Sequence, residues 1–436
     1  MSGSECLKIL DKIFKPKKKE EIDKIKGYTI KYGNIIENGS VVDEVLVSYF
    51  KSPKSYTTED MCEINSHGGN IVVKKILELC LQNGAILAEP LEFTKRAFLN
   101  GRIDLLQAES VIDVINAKSE REAKAGINQL EGFLSKEVKK IKEKIMNVMV
   151  DIEVSIDYPE YDVDDVTANQ IAEMLTFVKE RLMKLEKSFD NGKIIKEGIK
   201  TAIIGRPNAG KSSLLNAILK EDRAIVTEYE GTTRDTIEEF VNINGIPLKL
   251  IDTAGIREAE DQVEKIGIAK SKEIAKNSDL IIAIFDSSKE LNNEDKQILE
   301  IIKNKRAIII LNKIDLENKI TRNDNCLKNL DVPIIEISAL NKKGIDFLYE
   351  EITKMFKLNE INLDNEIIIT NIRHKNLINK AIESVEEAEK NLEEGVPLDI
   401  EAIFIKNILE QLGKITGEVV TEDIINEIFS KFCLGK

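Results

Sequence analysis

Four short motifs, in order along the chain, have residue types that suit the chemistry of a nucleoside triphosphate. The first runs from Gly205 to Ser212 and reads GRPNAGKS, a complete G-x-x-x-x-G-K-S loop between an apolar run and a helix-forming stretch. Glycines let backbone N–H groups curl around phosphates, and a helix N-terminus adds partial positive charge. Lys211 is expected to reach the β- and γ-phosphates, and the Ser212 hydroxyl to bind Mg²⁺. The residues of this motif expected to contact the nucleotide are Asn208, Ala209, Gly210, Lys211, Ser212 and Ser213.

Two further motifs supply the groups that Mg²⁺ and the γ-phosphate require. The sequence Asp252-Thr253-Ala254-Gly255 follows an apolar run, which places Asp252 at a strand end near the metal and the N–H of Gly255 near the γ-phosphate. Thr232 and Thr233 lie between the loop and this strand, where a switch segment is expected to give a hydroxyl to Mg²⁺. We assign that hydroxyl to Thr233 and expect Lys211 and Thr233 to take part in catalysis.

The fourth motif predicts which base is bound. Asn312-Lys313-Ile314-Asp315 follows the apolar run that starts at Ala307. A carboxylate at Asp315 can accept hydrogen bonds from the ring N–H and the exocyclic amine of guanine, whereas adenine offers no matching donors, and polar readout of this kind discriminates strongly. Ser338-Ala339-Leu340 is expected to complete the guanine pocket. The four motifs together predict a site that binds and hydrolyses GTP.

The sequence departs from Ras-type GTPases at the residue that orients the attacking water. Those enzymes use a glutamine just after the Asp-x-x-Gly segment, and here that position holds Ile256, which cannot polarise water. The phosphate loop contains no evident arginine finger. Catalysis is therefore expected to recruit a partner, a cation or a more distant carboxylate.

The elements that must position these motifs change character along the chain. Residues 28–100 alternate as short strands with one helix, apolar residues then recur at helical spacing from about 102 to 190, and a second helical block covers 370–432. Between the helical blocks, apolar strands alternate with helices. The simplest arrangement packs the two helical blocks together with the α/β unit inserted between them.

Bulk composition restricts the class of protein. The 436 residues are enough for about three domains, 42% of them are hydrophobic, and the net charge is −14. No apolar run is long enough to span a membrane, and the first residues do not form a signal peptide. Five scattered cysteines and two histidines argue against a disulfide framework or a zinc site and for the reducing cytoplasm. The net negative charge argues against indiscriminate nucleic-acid binding, although the basic stretch 12–26 leaves an RNA contact open.

Several longer motifs resemble one family. Asn65-Ser-His-Gly-Gly69, the run from Glu92 to Glu109, Gly231-Thr-Thr-Arg-Asp235 and the terminal Cys433-Leu-Gly-Lys436 are similar to the tRNA-modification GTPases of the MnmE (TrmE) family, and the match covers essentially the whole chain. The resemblance implies a multidomain α/β and α protein. Its expected domains are an N-terminal α+β tetrahydrofolate-binding-like domain that also dimerises (1–100), a helical domain (101–197 and 358–436) and an inserted Ras-like P-loop G domain (198–357).

The resemblance also implies how the catalytic site is completed. In this family a K⁺ ion acts in place of an arginine finger when two G domains meet. The matching ligands are the side chain of Asn208 and the switch segment, with Thr227, Tyr229 and Thr232 at the ligand positions. Glu264 matches a glutamate that orients the water indirectly, although without the resemblance the sequence favours a solvated carboxylate on a helix face. The switch residues expected around the nucleotide are Thr227, Glu228, Tyr229, Glu230, Gly231, Thr232 and Thr233.

The modification chemistry is likewise implied by the resemblance. Family members work as homodimers with MnmG, an FAD-dependent partner, on the wobble uridine of tRNA, using a tetrahydrofolate derivative as carbon source. The matching folate positions are Glu63, Arg102 and Lys436, and Cys433 matches a thiol in or beside the chemistry. The alternatives without a role in the chemistry are an exposed strand carboxylate for Glu63, a helix cap for Arg102 and an inert buried thiol for Cys433. His67 is interpreted as a residue of the strand-to-helix turn.

One departure and one alternative complete the expectations. Family members open with an additional strand ending in Arg-Ile-Ser-Gly, whereas Met1-Ser2-Gly3 aligns with the end of that motif here, which we interpret as a misassigned start codon. The alternative function is a regulatory or ribosome-assembly GTPase that lacks modification chemistry. The G domain motifs do not separate the two functions, and the flanking regions 1–197 and 361–436 favour the modification enzyme.

Overall fold

The structure is a computed structural model that divides into two compact units, each built from separate stretches of sequence. One unit comprises Met1–Ile112, Gln129–Val138 and Gly413–Lys436, and the other comprises Asp113–Asn128 and Lys139–Leu412. The structure describes residues 1–18, 26–157, 168–219, 224–225, 239–243, 245–251, 267–328, 330–358, 366–421, 425 and 428–429. The four expected domain ranges stay predictions.

The unit that contains Met1–Ile112 is called the N-terminal unit below. An antiparallel sheet forms its centre. Its strands, in spatial order, are β1 (Phe14–Pro16), β2 (Thr29–Glu37), β3 (Ser40–Phe50) and β4 (Met61–Asn65). The predicted turn between β2 and β3 is confirmed: Asn38 and Gly39 have φ of 48° and 85°, as the favoured two-residue hairpin turn requires. Met1 lies beside β4, because its amine donates to the carbonyl of Cys62 at 2.8 Å and its carbonyl accepts from the Cys62 N–H at 3.0 Å.

Three helices accompany this sheet in sequence, α1 (Cys6–Ile13), α2 (Asn70–Gln82) and α3 (Glu92–Leu99). One face of the sheet is covered, and its buried Val45, Val47 and Tyr49 belong to the same core cluster as Leu10 of α1 and Leu79 of α2. Alternation along a strand sends the neighbouring side chains to the other face. The pairing register aligns Ile30, Ser48 and Glu63 across β2, β3 and β4 on that face, and Tyr32, Leu46 and Asn65 beside them.

The predicted helical blocks are helical where the structure describes them. The first contains α4 (Leu105–Ile115), α5 (Glu120–Leu130), α6 (Phe133–Asp157) and α7 (Ala168–Glu197), and the second contains α13 (Ile372–Glu393) and α14 (Leu398–Thr416). Helices α7 and α13 pack side by side. In α13 the residues Ile378, Ala381 and Val385 are fully buried, as the three- and four-residue spacing predicts.

The inserted segment folds around a mainly parallel sheet. Its strands are β5 (Ile199–Ile204), β6 (Ala224–Ile225), β7 (Glu239–Ile243), β8 (Ile246–Ile251), β9 (Leu280–Asp286), β10 (Ala307–Asn312) and β11 (Ile334–Ile337). The spatial order is β11-β10-β9-β5-β8-β7-β6, with β7 antiparallel to both of its neighbours. The helices are α8 (Lys211–Leu219), α9 (Gly267–Lys276), α10 (Asn293–Ile302), α11 (Asn325–Lys328) and α12 (Ile345–Met355).

This topology collects three of the four predicted motifs at one edge. Strands β5, β9, β10 and β11 are parallel, so their carboxyl ends lie together, and β9 and β10 are buried at every position. Near-continuous apolar runs are typical of parallel strands covered on both faces. The loops after β5, β10 and β11 carry the phosphate loop, the Asn312 motif and the Ser338 motif. Open α/β sheets bind ligands at this edge.

Candidate nucleotide-binding site

The phosphate loop connects the end of β5 directly to the first turn of α8, and its glycines are required by close packing. A side chain at Gly205 would place its Cβ 2.6 Å from the carbonyl oxygen of Ile284, and one at Gly210 would place it 2.1 Å from the Asn312 amide nitrogen. Asn208 adopts the left-handed conformation with φ of 61°, which asparagine tolerates better than most residues. The loop is therefore fixed by the strand ends beneath it.

Lys211 lies over this loop. Its ammonium donates hydrogen bonds to the carbonyl oxygens of Gly205 at 2.7 Å and Arg206 at 2.9 Å. Burial lowers the pKa of Lys211, because desolvation disfavours the charged form. The Lys211 ammonium is thus held inside the turn, where its positive charge would neutralise the negative charge of the β- and γ-phosphates of a bound nucleotide.

Asn312 joins three of the predicted motifs. Its side-chain NH₂ donates to the carbonyl of Ala209 at 2.9 Å, and its side-chain oxygen accepts from the N–H of Ala339 at 3.0 Å. The residue is 2% exposed, so each bond is protected from water. One buried amide thus sets the spacing between the phosphate loop and the loop after β11.

Lys313 makes a second link across the same site. Its ammonium donates to the carbonyl of Asn208 at 2.9 Å and to Asp286 at 2.7 Å. Asp286 is 1% exposed and also accepts from the N–H and hydroxyl of Ser288. Burial alone would raise the pKa of Asp286, but the hydrogen bonds from Lys313 and Ser288 outweigh it and hold that pKa below its ordinary value.

The two polar residues that the sequence predicts to read the base, Asp315 and Ser338, lie together. The buried hydroxyl of Ser338 donates to one carboxylate oxygen of Asp315, which leaves the other carboxylate oxygen and further lone pairs to accept from a ligand. Asp315 is exposed, and so is Leu340, at 81%. Ser212 and Ser213 lie exposed in the first turn of α8.

Sequence reasoning missed a support beneath the phosphate loop. The guanidinium of Arg206 lies 3.3 Å from the carboxylate of Asp295, and Asp295 also closes a capping box with Asn292 at the start of α10. Asp286 was missed as well, although a single acidic residue ending the apolar run of β9 is a readable signal. Nothing in the spacing pairs Arg206 with Asp295, since 89 positions separate them.

The N-terminal unit contains a separate cleft. It has a volume of about 420 Å³ and is lined by Arg102 and the aromatic residues Tyr28, Phe50 and Tyr56. Arg102 donates to the carbonyl of Tyr56 at 2.9 Å and its guanidinium lies 4.7 Å from the centre of that ring. Glu63 is not among the described residues that line the cleft, but is exposed on the open face of the sheet. His67 is held at the strand-to-helix turn by Asp43, which accepts from its backbone N–H at 2.9 Å.

The remaining predicted residues lie outside the described ranges. They are Thr227, Glu228, Tyr229, Glu230, Gly231, Thr232, Thr233, Asp252, Thr253, Ala254, Gly255, Glu264, Cys433 and Lys436. Among the described helices, none has the length and apolar character needed to cross a membrane.

Comparison with known proteins adds a family to this geometry. The family model of the MnmE helical domain matches residues 105–433, and that of the GTP-binding protein TrmE N-terminus matches residues 1–102. The tRNA modification GTPase MnmE of Acetivibrio thermocellus is 50% identical over 440 residues, which is 100% of this chain and 95% of the relative. The protein of the same name from Clostridioides difficile is 49% identical over 437 residues, with the same shares. Among solved structures, the G domain of the T. maritima FeoB iron transporter covers 36% of this chain and 98% of its own, at 28% identity and a TM-score of 0.27. On the family models and the full-length relatives, the chain belongs to the MnmE family of tRNA modification GTPases.

Proposed function

We propose that this chain hydrolyses GTP as a subunit of the machinery that modifies the wobble uridine of tRNA. The single observation that carries the nucleotide part is the buried Asn312 amide. It ties the carbonyl of Ala209 in the phosphate loop to the N–H of Ala339 in the base-reading loop, so that phosphate and guanine contacts are held at a fixed separation. The tRNA part is supported by full-length relatives that are named tRNA modification GTPases.

Two cations complete the proposed site. Mg²⁺ would be held by the hydroxyls of Ser212 and Thr233 with Asp252 nearby, and would neutralise charge on the phosphates. K⁺ would be held by the side chain of Asn208 with Thr227, Tyr229 and Thr232. The exposed Asn208 side chain and the packed Gly210 below it support a loop whose outer surface presents an oxygen ligand. Glu264 would orient the attacking water.

The modification chemistry is proposed for the N-terminal unit. Arg102 lines a cleft whose volume is within the range of small-molecule sites, and an arginine there suits the carboxylate tail of a tetrahydrofolate derivative. Glu63 lies on the sheet face instead, so one chain does not bring both residues to the same cleft. Cys433 and Lys436 are the other residues assigned to this chemistry, which MnmG would share as the FAD-dependent partner in the cytoplasm.

A homodimer is part of the same proposal. Ile30, Tyr32 and Leu46 lie on the open face of the sheet and are 64%, 49% and 47% exposed. Apolar side chains grouped on one sheet face are a common mark of an interaction surface, and a second copy of this face would cover them and bring a second Glu63 to the interface.

Mass spectrometry of wobble uridines tests the proposed function. In cells lacking this gene we expect the wobble uridine modified at carbon five to disappear and unmodified uridine to replace it. Expression of the chain should restore the modified nucleoside. Unchanged modification in the deletion strain would contradict the proposal and leave the regulatory or ribosome-assembly GTPase as the function.

A further inference from the structure

The hairpin of β7 and β8 lies between the two segments that carry the switch residues in sequence. Strand β7 begins at Glu239, six positions after Thr233, and β8 ends at Ile251, directly before Asp252. The register of this hairpin is fixed by pairing from Glu239 with Leu250 to Ile243 with Ile246. Any contact that sets the position of this hairpin therefore sets the anchor points of both segments.

A lysine from outside the G domain packs on the hairpin. The ammonium of Lys118, just before α5, lies 4.1 Å from the centre of the Phe240 ring on β7. Phe240 is 6% exposed, and a partly desolvated cation over an aromatic face is attracted by the ring quadrupole. Lys249 on β8 lies farther from the same ring, at 5.9 Å, so Lys118 is the closer of the two cations.

Arg121 holds the turn of the same hairpin. A Cβ added at Gly245, whose φ is 84°, would lie 2.9 Å from Cγ of Arg121, so the arginine stem packs directly on the turn. The guanidinium continues past it and donates to the carbonyl of Leu358 at 2.8 Å. Leu358 belongs to the core cluster of the G domain sheet. Arg121 therefore links the hairpin turn to that core.

The first turn of α5 is itself fixed in place. Glu122 is 7% exposed and accepts from the N–H of Lys118 at 2.6 Å, while the Ser119 hydroxyl accepts from the N–H of Glu122 at 3.1 Å. Ala125, one turn later, packs against the same core cluster as Leu358. Lys118 and Arg121 thus lie at a helix start that is itself fixed by hydrogen bonds and packing. Their side chains are therefore well placed to hold the hairpin.

We propose that Lys118 and Arg121 are positioning residues for GTP hydrolysis: they hold the β7–β8 hairpin and thereby its two ends, Glu239 and Ile251, which adjoin in sequence the motifs of Thr233 and Asp252. This rests on the proposed GTP hydrolysis. The residues lie outside the predicted G domain, and their contacts avoid the phosphate loop, Asn312 and Asp315. Their loss is therefore expected to slow the chemical step and to leave guanine nucleotide binding intact.

Steady-state kinetics of the full-length chain test this proposal. Lys118→Met keeps the length of the side chain and removes its charge, and Lys139→Met is the matched control at an exposed position of α6. We expect Lys118→Met to lower kcat for GTP roughly tenfold or more, because small displacements of catalytic groups cost up to about a hundredfold. The affinity for fluorescent GDP and the Tm should stay close to those of Lys139→Met.

Conservative and coupled variants separate positioning from simple packing. Lys118→Arg retains a cation over the ring and should restore kcat to within about twofold of the wild type, since arginine also makes cation–π contacts. Phe240→Leu should lower kcat as well, and combining it with Lys118→Met should add little, because both remove the same contact. A wild-type kcat in Lys118→Met, or a fall matched by loss of GDP binding and Tm, would overturn the positioning role.

Hydrogen exchange distinguishes failure of this contact from failure of the proposed function. If the wild-type chain does not hydrolyse GTP, the proposed function fails, and the contact is judged from exchange of the amides of residues 239–251. Faster exchange there in Lys118→Met than in Lys139→Met supports the hairpin contact. Equal exchange in the two variants contradicts it.

Discussion

At the scale of single residues, the proposed discrimination between bases rests on one carboxylate and the hydroxyl that orients it. The Ser338 hydroxyl donates to Asp315. This hydrogen bond occupies one lone pair of the carboxylate and fixes its orientation. Asn312 fixes the backbone on which Ser338 and Ala339 lie. The carboxylate is thus placed before any ligand binds, and its remaining lone pairs are the acceptors that we propose for the two donors of guanine.

Replacing Asp315 with asparagine is expected to change the preferred base. The amide presents an NH₂ donor where the carboxylate presented an acceptor, which suits xanthine, with its carbonyl, better than guanine, with its amine. We expect affinity for GTP to fall by at least about a hundredfold, because a site that reads a ligand by hydrogen bonds strongly rejects one whose polar groups it leaves unpaired. The measurement is competition of GTP and XTP against fluorescent GDP, with Asp331→Asn, at an exposed position of the same domain, as the control. Equal GTP affinity in the two variants would refute the assignment of Asp315.

At the scale of elements, helix α14 carries an ionisable side chain into the interior. Glu401 is 1% exposed, and neither of its carboxylate oxygens has a hydrogen-bond partner among the residues that the structure describes. Burial raises the pKa of Glu401 from an ordinary 4.5 to about 7, since the ionised form is poorly solvated there. The helix thus accepts a carboxyl group that is more stable in its protonated form.

This burial predicts how stability depends on pH. A carboxyl group with a raised native pKa binds more protons in the folded state, so its burial costs least below about pH 4.5 and most above about pH 7. Relative to the wild type, Glu401→Gln should therefore gain more free energy of unfolding at pH 8 than at pH 5. The difference between the two gains is expected to be on the order of 3 kcal/mol. Thermal melts at the two pH values measure this change.

An exposed glutamate provides the control for that experiment. Glu387→Gln on α13 removes a carboxyl group at an exposed position, and we expect the same Tm change at pH 5 and pH 8. Burial also raises the pKa of Glu122 to about 7. The stability of the Glu401→Gln variant should therefore still fall in part as the pH rises, because Glu122 is unchanged. A gain in Tm that is equal at both pH values would contradict the predicted protonation of Glu401.

At the scale of the whole molecule, hydrolysis is expected to depend on assembly rather than on a complete site in one chain. Ile256 occupies the place where a Ras-type enzyme has its glutamine, and no residue of the described phosphate loop supplies a positive charge beyond Arg206 and Lys211. Arg206 is engaged with Asp295 and Lys211 with the loop carbonyls. The missing charge is the one that the proposed K⁺ would supply, held by Asn208 when two G domains meet.

The choice of monovalent cation tests that expectation. GTP hydrolysis in KCl should exceed that in NaCl at equal ionic strength by at least about tenfold, since a charge supplied in this way is worth up to about 10⁵ in rate. Asn208→Gly removes the side-chain ligand and keeps the left-handed backbone, so it should abolish the difference while fluorescent GDP still binds. Equal wild-type rates in the two salts would exclude K⁺ from the mechanism.

The sequence by itself determined the features that a short, continuous stretch encodes. The phosphate loop and the Asn38-Gly39 turn each act through backbone groups a few residues apart, and the Asn312 motif is a short run of fixed residue types, so residue type and spacing suffice to predict them. The succession of strands and helices followed from apolar periodicity. The long resemblance then supplied the family.

Only the tertiary structure decided which distant side chains meet. Asn312 bonds to Ala209 across 103 positions and Lys313 to Asn208 across 105, while Arg206 reaches Asp295 and Lys118 reaches Phe240. These pairs form because parallel strands bring their carboxyl ends to one edge and because α5 packs on the β7–β8 hairpin. A single sequence carries no local signal for such pairs, since chain folding and not spacing sets the distance between the two atoms.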